Sequence, residues 1–316
     1  MWGTNYHRGM GLVKVGVAGW AYKDWEGIVY PRRQKAAPHP LEILAQFVDV
    51  VEINTSFYGH VAPSQAKLWC EKAAGANRDF VFTAKLNRCF THAPMAAVQP
   101  TSAETLQPNP EDEKLAKAGL DALAEENRLG ALLAQFPISF KNTDANRDYL
   151  HKLIKRFGQY PLAVEVRHAT WNSEAVLAEF AAANVAFCNI DQPLLGRAIQ
   201  PTAHATSAIG YVRLHGRNYD QWFEHEKAHE RYNYLYTEPQ LEKWKDKIET
   251  IAGKTEMTFV IANNHFEGKA AVNVVQLRRM LGQKNFTVPE TLVARYPVLE
   301  KAIHHRDTEA QRMIED

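Results

Sequence analysis

Short runs of apolar and β-branched residues recur along the chain, and candidate helices follow them. The eight runs cover residues 12–18, 50–57, 80–86, 130–136, 162–167, 185–191, 209–215 and 257–263. The candidate helices include residues 63–74, 111–126, 144–157, 173–183, 239–251 and 270–281. Strands that alternate with helices indicate parallel pairing, and eight such units close a barrel. The pattern therefore predicts an α/β protein with a TIM-type (β/α)8 barrel.

An open doubly wound sheet is the competing architecture. Such a sheet requires a glycine-rich turn that binds phosphate after its first strand. Residues 16–20 (GVAGW) do not match the sequence pattern of that turn. Residues 93–110 and 192–208 break the alternation, and we expect them to form loops at the mouth of the barrel. We divide the chain into an N-terminal tail (1–11), a barrel (12–284) and a C-terminal extension (285–316) packed on the outside.

Polar residues alternate with apolar ones near the carboxyl ends of several runs. Glu165 and Arg167 alternate with Val164 and Val166, so that the valines face the helices and the charged side chains face the barrel interior. The same argument assigns to the interior Glu52, Asn54, Lys85, Gln135, Asp191, Arg213, His215 and Asn263. Because strand carboxyl ends share one mouth in such a barrel, we expect these side chains to converge there.

Besides His215, six of these inward groups are ionisable, three acidic and three basic. The acidic residues are Glu52, Glu165 and Asp191, and the basic residues are Lys85, Arg167 and Arg213. Because an isolated buried charge is costly, the groups must compensate one another or serve a ligand. An ion network that only stabilises the barrel is one explanation, but charges on so many separate strand ends favour a functional site.

Seven segments carry a resemblance to a known family. They are residues 15–25 (VGVAGWAYKDW), 51–58 (VEINTSFY), 82–85 (FTAK), 133–137 (LAQFP), 165–171 (EVRHATW), 211–217 (YVRLHGR) and the pair Asn263-Asn264, followed by Gly268, Ala271 and Asn273. Together these segments resemble the domain-of-unknown-function family 72, the YecE-like proteins. The resemblance implies a TIM-type barrel with a polar pocket, and it implies no settled reaction.

An anion site is the chemistry that the charges favour. Lys85, Arg167 and Arg213 are candidate clamps for phosphate or carboxylate, because a guanidinium presents a planar fork of donors. The candidate acid/base residues are Glu52, Glu165, Asp191 and His215. The remaining candidate binding residues are Asn54, Tyr58, Gln135, His168, Trp171, Asn263 and Asn264. Tyr58 and Trp171 follow strand ends, where an aromatic ring either stacks on a sugar or base or packs within a loop.

A metal site is a second option. Glu165, Asp191 and His215 offer a mixture of carboxylate and imidazole suited to a divalent metal. The neighbouring arginines compete for the carboxylates and repel a cation, so we rank a metal cofactor below the anion. Residues 225–229 (HEKAH) also match the zinc motif H-E-x-x-H, but the charged residues around them indicate a solvated segment.

Composition narrows the class of protein and its partners. The chain of 316 residues is 46% hydrophobic and 23% charged, which is typical of globular proteins. Its 37 Lys and Arg against 36 Asp and Glu provide no global basic field for nucleic acid. Three widely spaced cysteines, no signal peptide and no apolar segment of transmembrane length predict a cytoplasmic protein that does not bind membranes.

The sequence therefore favours an enzyme that acts on a small anionic substrate, phosphorylated or sugar-like, by acid/base chemistry at the barrel mouth. It leaves the reaction open between hydrolysis and isomerase or lyase chemistry, and it does not define the oligomeric state. One alternative is a protein that binds a nucleotide or nucleic acid, including metal-dependent phosphodiester chemistry. Another is a non-catalytic structural or regulatory protein whose pocket charges form an ion network.

Overall fold

Eight parallel strands hydrogen-bond in chain order and close into a barrel, with the last strand paired to the first. The strands of this computed structural model are β1 (Leu12–Ala18), β2 (Val50–Ile53), β3 (Val81–Lys85), β4 (Leu129–Gln135), β5 (Leu162–Glu165), β6 (Ala186–Asp191), β7 (Ile209–Leu214) and β8 (Met257–Ala262). The structure describes residues 9–32, 37–94, 99–106, 108–219 and 230–300. The predicted TIM-type barrel is confirmed.

Helices surround the strands on the outside of the barrel. They are α1 (Pro40–Leu44), α2 (Pro63–Ala74), α3 (Pro110–Glu125), α4 (Asp144–Phe157), α5 (Glu174–Ala182), α6 (Glu238–Ala252), α7 (Lys269–Met280) and α8 (Glu290–Arg295). Side-chain oxygens cap several of their free N-terminal amides, as when Thr143 accepts from the Asn146 amide and Ser173 from the Val176 amide. Within the described part of the chain, no helix is both long and apolar enough to cross a bilayer.

The chain between β6 and β7 differs from the other crossovers, because residues 192–208 form the predicted loop and no helix. Asn189 in β6 anchors this loop from the outer face of the strand. Its Oδ1 accepts from the Thr202 hydroxyl at 2.8 Å and from the His204 amide at 2.7 Å, and its Nδ2 donates to the His204 carbonyl at 2.9 Å. A helix packed on β6 would need an apolar side chain at position 189. The polar Asn189, whose amide is hydrogen-bonded at both atoms, binds the loop instead.

Residues 285–300 pack on the outside of the barrel. The Phe286 ring lies 4.3 Å from the Arg278 guanidinium of α7, and Leu292 of α8 is fully buried. Tyr296 donates its hydroxyl proton to the Glu267 carbonyl at 2.7 Å, next to the loop that follows β8. This segment thus braces the region where β8 leads into α7.

Gly16 in β1 is packed too closely against β2 to accept a side chain. A Cβ at this position would lie 1.7 Å from the Val50 carbonyl oxygen, which belongs to the rigid ladder between the two strands. We expect Gly16→Ala to lower the free energy of unfolding by about 3 kcal/mol, since overpacking against backbone cannot relax by side-chain rotation. Urea denaturation measures the change.

Gly59→Ala is the matched control, because a methyl group added at this position, on the loop after β2, would have no atom within 4 Å. This variant is expected to keep the parent stability within about 0.5 kcal/mol. Equal stability of the two variants would contradict the close approach of β1 and β2.

Candidate functional site

The Arg213 guanidinium joins two carboxylates that come from distant strands. It donates from Nη2 to Glu52 Oε1 at 2.6 Å and from Nη1 to Glu165 Oε2 at 2.5 Å. Both glutamates are completely buried, and Arg213 is 1% exposed. Charge-assisted bonds of this length in a buried setting are strong, so this pair of bonds ties β2, β5 and β7 together across the barrel.

Tyr211, two residues before Arg213 on β7, completes the bonding of Glu52. Its hydroxyl lies 3.0 Å from Glu52 Oε2 and 2.8 Å from the Thr83 hydroxyl of β3. Burial raises the pKa of Tyr211 well above its ordinary value, and the nearby Glu52 charge adds to that shift. The tyrosine therefore stays protonated as a donor. We did not select it from the sequence, although its alternation with Arg213 on β7 is the signal that would have identified it.

Glu165 is the most heavily bonded group of the site. Arg167 donates to its Oε1 from Nε at 2.8 Å, and His215 Nε2 lies 3.2 Å from the same oxygen. Burial raises the pKa of Glu165, but the charges of Arg213 and Arg167 outweigh burial and hold the pKa well below 4.5. Glu165 is therefore a permanent anion near neutral pH.

His215 lies between Glu165 and Asn263 and is completely buried. The Asn263 Nδ2 lies 2.9 Å from His215 Nδ1, while His215 Nε2 lies 3.2 Å from Glu165 Oε1 and 3.3 Å from Arg167 Nη2. Burial lowers the pKa of His215 to about 3; Glu165 opposes this shift, and the nearby Arg167 and Arg213 reinforce it. The imidazole is thus neutral at physiological pH.

Lys85 ends β3 in a different environment from the two arginines. Its Nζ donates to Gln135 Oε1 at 3.0 Å and lies 4.1 Å from the centre of the Phe57 ring. Among the described residues, no carboxylate lies within 4.0 Å of this amine. Burial, followed by the Arg213 charge, lowers the pKa of Lys85 from 10.5 to about 7. The side chain therefore exchanges a proton near neutral pH.

Arg88 and His92 lie near Lys85 and Arg167, in the chain that follows β3. The half-buried His92, whose ring packs edge-on against Phe57 at 4.9 Å, lies in the loop after β3. Burial lowers the pKa of His92 to about 3, and the positive charges of Lys85, Arg167 and Arg88 lower it further. We missed Arg88 and His92 in the sequence because they lie on an irregular loop, where no periodicity indicates direction. Their position just after a strand end was the available signal.

The structure places Asp191 outside this cluster, contrary to the sequence-based expectation. Arg217 binds it with two nitrogens, at 2.8 Å to each carboxylate oxygen, and Trp244 of α6 donates its indole proton at 2.6 Å. Cys188 is the β6 residue whose environment includes Glu165 and Arg213. Asp191, three positions further along the strand, points to the opposite, helix-facing side.

The metal set formed by Glu165, Asp191 and His215 is therefore not assembled. Asp191 faces α6, whereas Glu165 and His215 face each other within the barrel. Within the described ranges, no group of three His, Cys, Asp or Glu side chains is arranged to hold a metal ion. The H-E-x-x-H motif at 225–229 lies outside the described residues.

Three other predicted binding residues serve the structure around the mouth. Asn264 donates to the Tyr234 carbonyl and to Asn273 Oδ1 of α7, each at 2.8 Å. His168 Nδ1 accepts from the Thr170 amide and caps the short helical turn after β5. The Trp171 indole donates to the Phe140 carbonyl at 2.7 Å, and its ring is fully buried. These contacts are part of loop packing.

The last two predicted residues lie on the β2 side of the mouth. Tyr58 is 76% exposed and packs edge-on against Phe57 at 5.1 Å. The Asn54 carbonyl accepts from the Phe57 amide at 3.1 Å at the start of the short helical turn after β2. The side chains that the structure brings together at the centre of the mouth are thus Glu52, Lys85, Gln135, Glu165, Arg167, Arg213, His215 and Asn263.

A family model described as "Protein of unknown function DUF72" matches residues 14–296. The chain belongs to this family. The match includes the first part of the segment that we separated as a C-terminal extension. The chain is also similar to the UPF0759 protein YunF of Bacillus subtilis (strain 168), with 27% identity over 280 residues that cover 85% of this chain and 95% of YunF.

Solved structures of the family show the same architecture. A DUF72 family protein from Thermotoga maritima MSB8 is 30% identical, with a TM-score of 0.72 over 86% of this chain and 99% of that one. A second, from Enterococcus faecalis V583, is 20% identical, with a TM-score of 0.72 over 86% of this chain and 96% of that one. The latter likeness concerns the fold alone.

Arg213→Met tests the central bridge. The substitution leaves Glu52 and Glu165 buried without the guanidinium between them, and loss of one member of a buried ion pair costs about 3–5 kcal/mol. We expect urea denaturation to show a loss of that size. Adding Glu52→Gln and Glu165→Gln to the variant is expected to restore part of it, because the uncompensated charges are then removed.

Lys114→Ala is the control for loss of a cation, since its contact with Glu111 lies on the exposed face of α3. Its free energy of unfolding is expected to stay within about 1 kcal/mol of the parent value. If Arg213→Met lost no more than about 1 kcal/mol of its free energy of unfolding, the central role of the bridge would be contradicted.

The low pKa of His215 predicts that the folded protein loses stability in acid. Its pKa is about 3 in the folded protein and near 6.5 when unfolded, so below pH 6.5 the unfolded chain binds a proton that the folded protein does not. Lowering the pH from 7 to 5 thus lowers the free energy of unfolding, by about 2 kcal/mol from this group. Urea denaturation at pH 7 and pH 5 measures this change in the parent protein and in His215→Gln. We expect the free energy of unfolding of the variant to fall by less than that of the parent, with the difference equal to the contribution of His215. An equal drop in both proteins would contradict the buried, neutral imidazole.

Proposed function

We propose that the protein is an enzyme that binds a small anionic substrate, phosphorylated or sugar-like, at the barrel mouth and transforms it by proton transfer. The observation that carries this proposal is the charge balance of the mouth. Both carboxylates of the central cluster, Glu52 and Glu165, are engaged by Arg213, while Lys85 has a neutral amide as its partner. The positive charge that remains favours an anionic ligand.

Arg167 is the group best suited to bind the anion. Its Nε and Nη2 face Glu165 Oε1, whereas among the described residues its Nη1 meets no acceptor. Its side chain is 17% exposed, while Glu165 behind it is completely buried. A guanidinium fixed on one side and open on the other is oriented for a phosphate or carboxylate. Arg88 and Lys85 supply further positive charge nearby.

The proton-transfer group that the environment favours is Lys85. Glu165 stays ionised and His215 stays neutral near pH 7, because their pKa values lie well below neutrality. These two residues are suited to position the arginines. The pKa of Lys85, at about 7, matches the value at which an acid or base works best in a neutral solution. We therefore transfer the acid/base role from the glutamates and the histidine to this lysine.

Ligand-dependent stabilisation tests the anion site. We expect inorganic phosphate and sugar phosphates to raise the melting temperature of the parent protein, because a ligand at a hundredfold excess over its Kd adds about 2.7 kcal/mol to the native state. Arg167→Met is expected to abolish this increase. The readout is the increase caused by ligand, so that a change in the variant's own stability does not enter.

Arg78→Met is the matched control, since Arg78 is exposed on the loop that precedes β3, at the opposite end of the barrel. It is expected to retain the full increase. Phosphate stabilisation that survives Arg167→Met would contradict the proposed site. Stabilisation by a single-stranded oligonucleotide, but by none of the small anions, would favour a nucleic-acid-binding protein instead.

A further inference from the structure

Lys85 has a set of neighbours that suits covalent chemistry. Its Nζ rests on the Phe57 ring at 4.1 Å, and one of its protons is donated to Gln135 Oε1 at 3.0 Å. Neither neighbour is charged. Glu52 and Glu165 face the amine across the barrel, but Arg213 binds both carboxylates at 2.5–2.6 Å. They therefore form no direct ion pair that would hold Lys85 in its ammonium form.

We propose that Lys85 is a nucleophile that forms an imine with the carbonyl carbon of a small aldehyde or ketone carrying a phosphate or carboxylate group. This inference rests on the proposed function and names its substrate class. A lysine next to apolar and cationic groups is the environment that activates an amine for attack on carbonyl compounds. The anionic group of the substrate is placed on Arg167, on the same side of the mouth.

The covalent step balances without a further reactant. The neutral amine donates its lone pair to the carbonyl carbon, the C–N bond forms, and the carbonyl π electrons move to oxygen, which takes up a proton. The resulting carbinolamine loses its oxygen as water, with both protons derived from the amine, and the C=N bond replaces the C=O bond. Hydrolysis reverses the sequence. Protonation of the imine then makes it an electron sink for removal of a proton or a carbon group next to it.

The charges around Lys85 determine how much amine is neutral. Burial disfavours the ammonium form most strongly, and Arg213 and Arg167 also disfavour it, whereas Glu52 and Glu165 favour it. With a pKa of about 7, roughly half of the amine is neutral at pH 7. A lysine with the ordinary value is neutral in fewer than about one molecule in a thousand at that pH. Lys85 is therefore the lysine that this environment prepares for attack.

Reductive trapping tests the proposal. The full-length protein is incubated at pH 7 with glyceraldehyde 3-phosphate, glycolaldehyde phosphate or pyruvate in the presence of sodium cyanoborohydride, which reduces an imine to a stable secondary amine. Peptide mass spectrometry then locates the adduct. We expect labelling at Lys85 to be at least about tenfold faster than at Lys141, an exposed lysine at the same end of the barrel.

Two variants complete the test. Lys85→Met is expected to eliminate the fast adduct, and Lys141→Met is expected to retain it; melting curves establish that both variants fold. Labelling of Lys85 that is no faster than that of Lys141, or a fast adduct that persists in Lys85→Met, would overturn the imine. Excess inorganic phosphate is expected to slow the trapping in the parent protein by occupying Arg167.

The outcomes separate the two proposals. Phosphate stabilisation that depends on Arg167, without trapping at Lys85, would overturn the imine and leave the anion-binding enzyme in place. Trapping at Lys85 without any stabilisation by phosphate or sugar phosphates would support a nucleophilic lysine and overturn the anion site on which the substrate class depends.

Discussion

The bridge from Arg213 to Glu52 and Glu165 is the interaction on which the rest of the mouth depends. It joins side chains 161 and 48 positions apart in the sequence, with both carboxylates removed from water. Such a triad is stable only if each charge keeps its partners, because desolvation of an unpaired carboxylate costs several kcal/mol. Tyr211, Arg167 and the His215–Asn263 pair supply the remaining bonds.

This bridge also determines which groups are available for chemistry. Because Arg213 binds both glutamates, their negative charge is neutralised within the cluster. Arg167, which is partly exposed, and Lys85 then leave the mouth with positive or neutral groups. Burial raises the pKa of Glu165, but the Arg213 and Arg167 charges hold it well below its usual range, whereas burial is the main cause that lowers the pKa of His215 to about 3. Burial and the Arg213 charge lower the pKa of Lys85 to about 7, because Glu52 and Glu165 are bound by Arg213 and offset these effects only in part. A structural ion network and a lysine with a lowered pKa thus occur side by side in the same mouth.

Asp191 shows that a charged residue near a strand end need not serve the mouth. Its carboxylate fixes Arg217 and the Trp244 indole on the helix-facing side, which ties the end of β6 to α6. The buried carboxylates Glu52, Glu165 and Asp191 therefore belong to two separate layers. One lies inside the barrel around Arg213, and the other lies between the barrel and the helices.

The sequence by itself determined the eight strands, the loop between the sixth and seventh strands, and the side to which Glu52, Glu165 and Arg213 point. Each of these residues alternates with apolar neighbours, and the period of two in a strand converts that alternation into direction. It did not give the correct direction for Asp191, because in β6 the polar residues of the alternation, Asn189 and Asp191, face the outer loop and α6, whereas the apolar Cys188 faces the interior. Nor did it separate Lys85 from the arginines, since composition alone gives three cations against three acids.

Only the tertiary structure decided which of these charges meet. The partners of Arg213 come from β2 and β5, strands on other parts of the barrel, and their approach follows from barrel closure rather than from any local pattern. The tertiary structure also shows that Asp191 binds Trp244 of α6, and that Lys85 has an amide and an aromatic ring as neighbours. A pKa depends on distances of a few ångströms between such groups, and the sequence does not contain those distances.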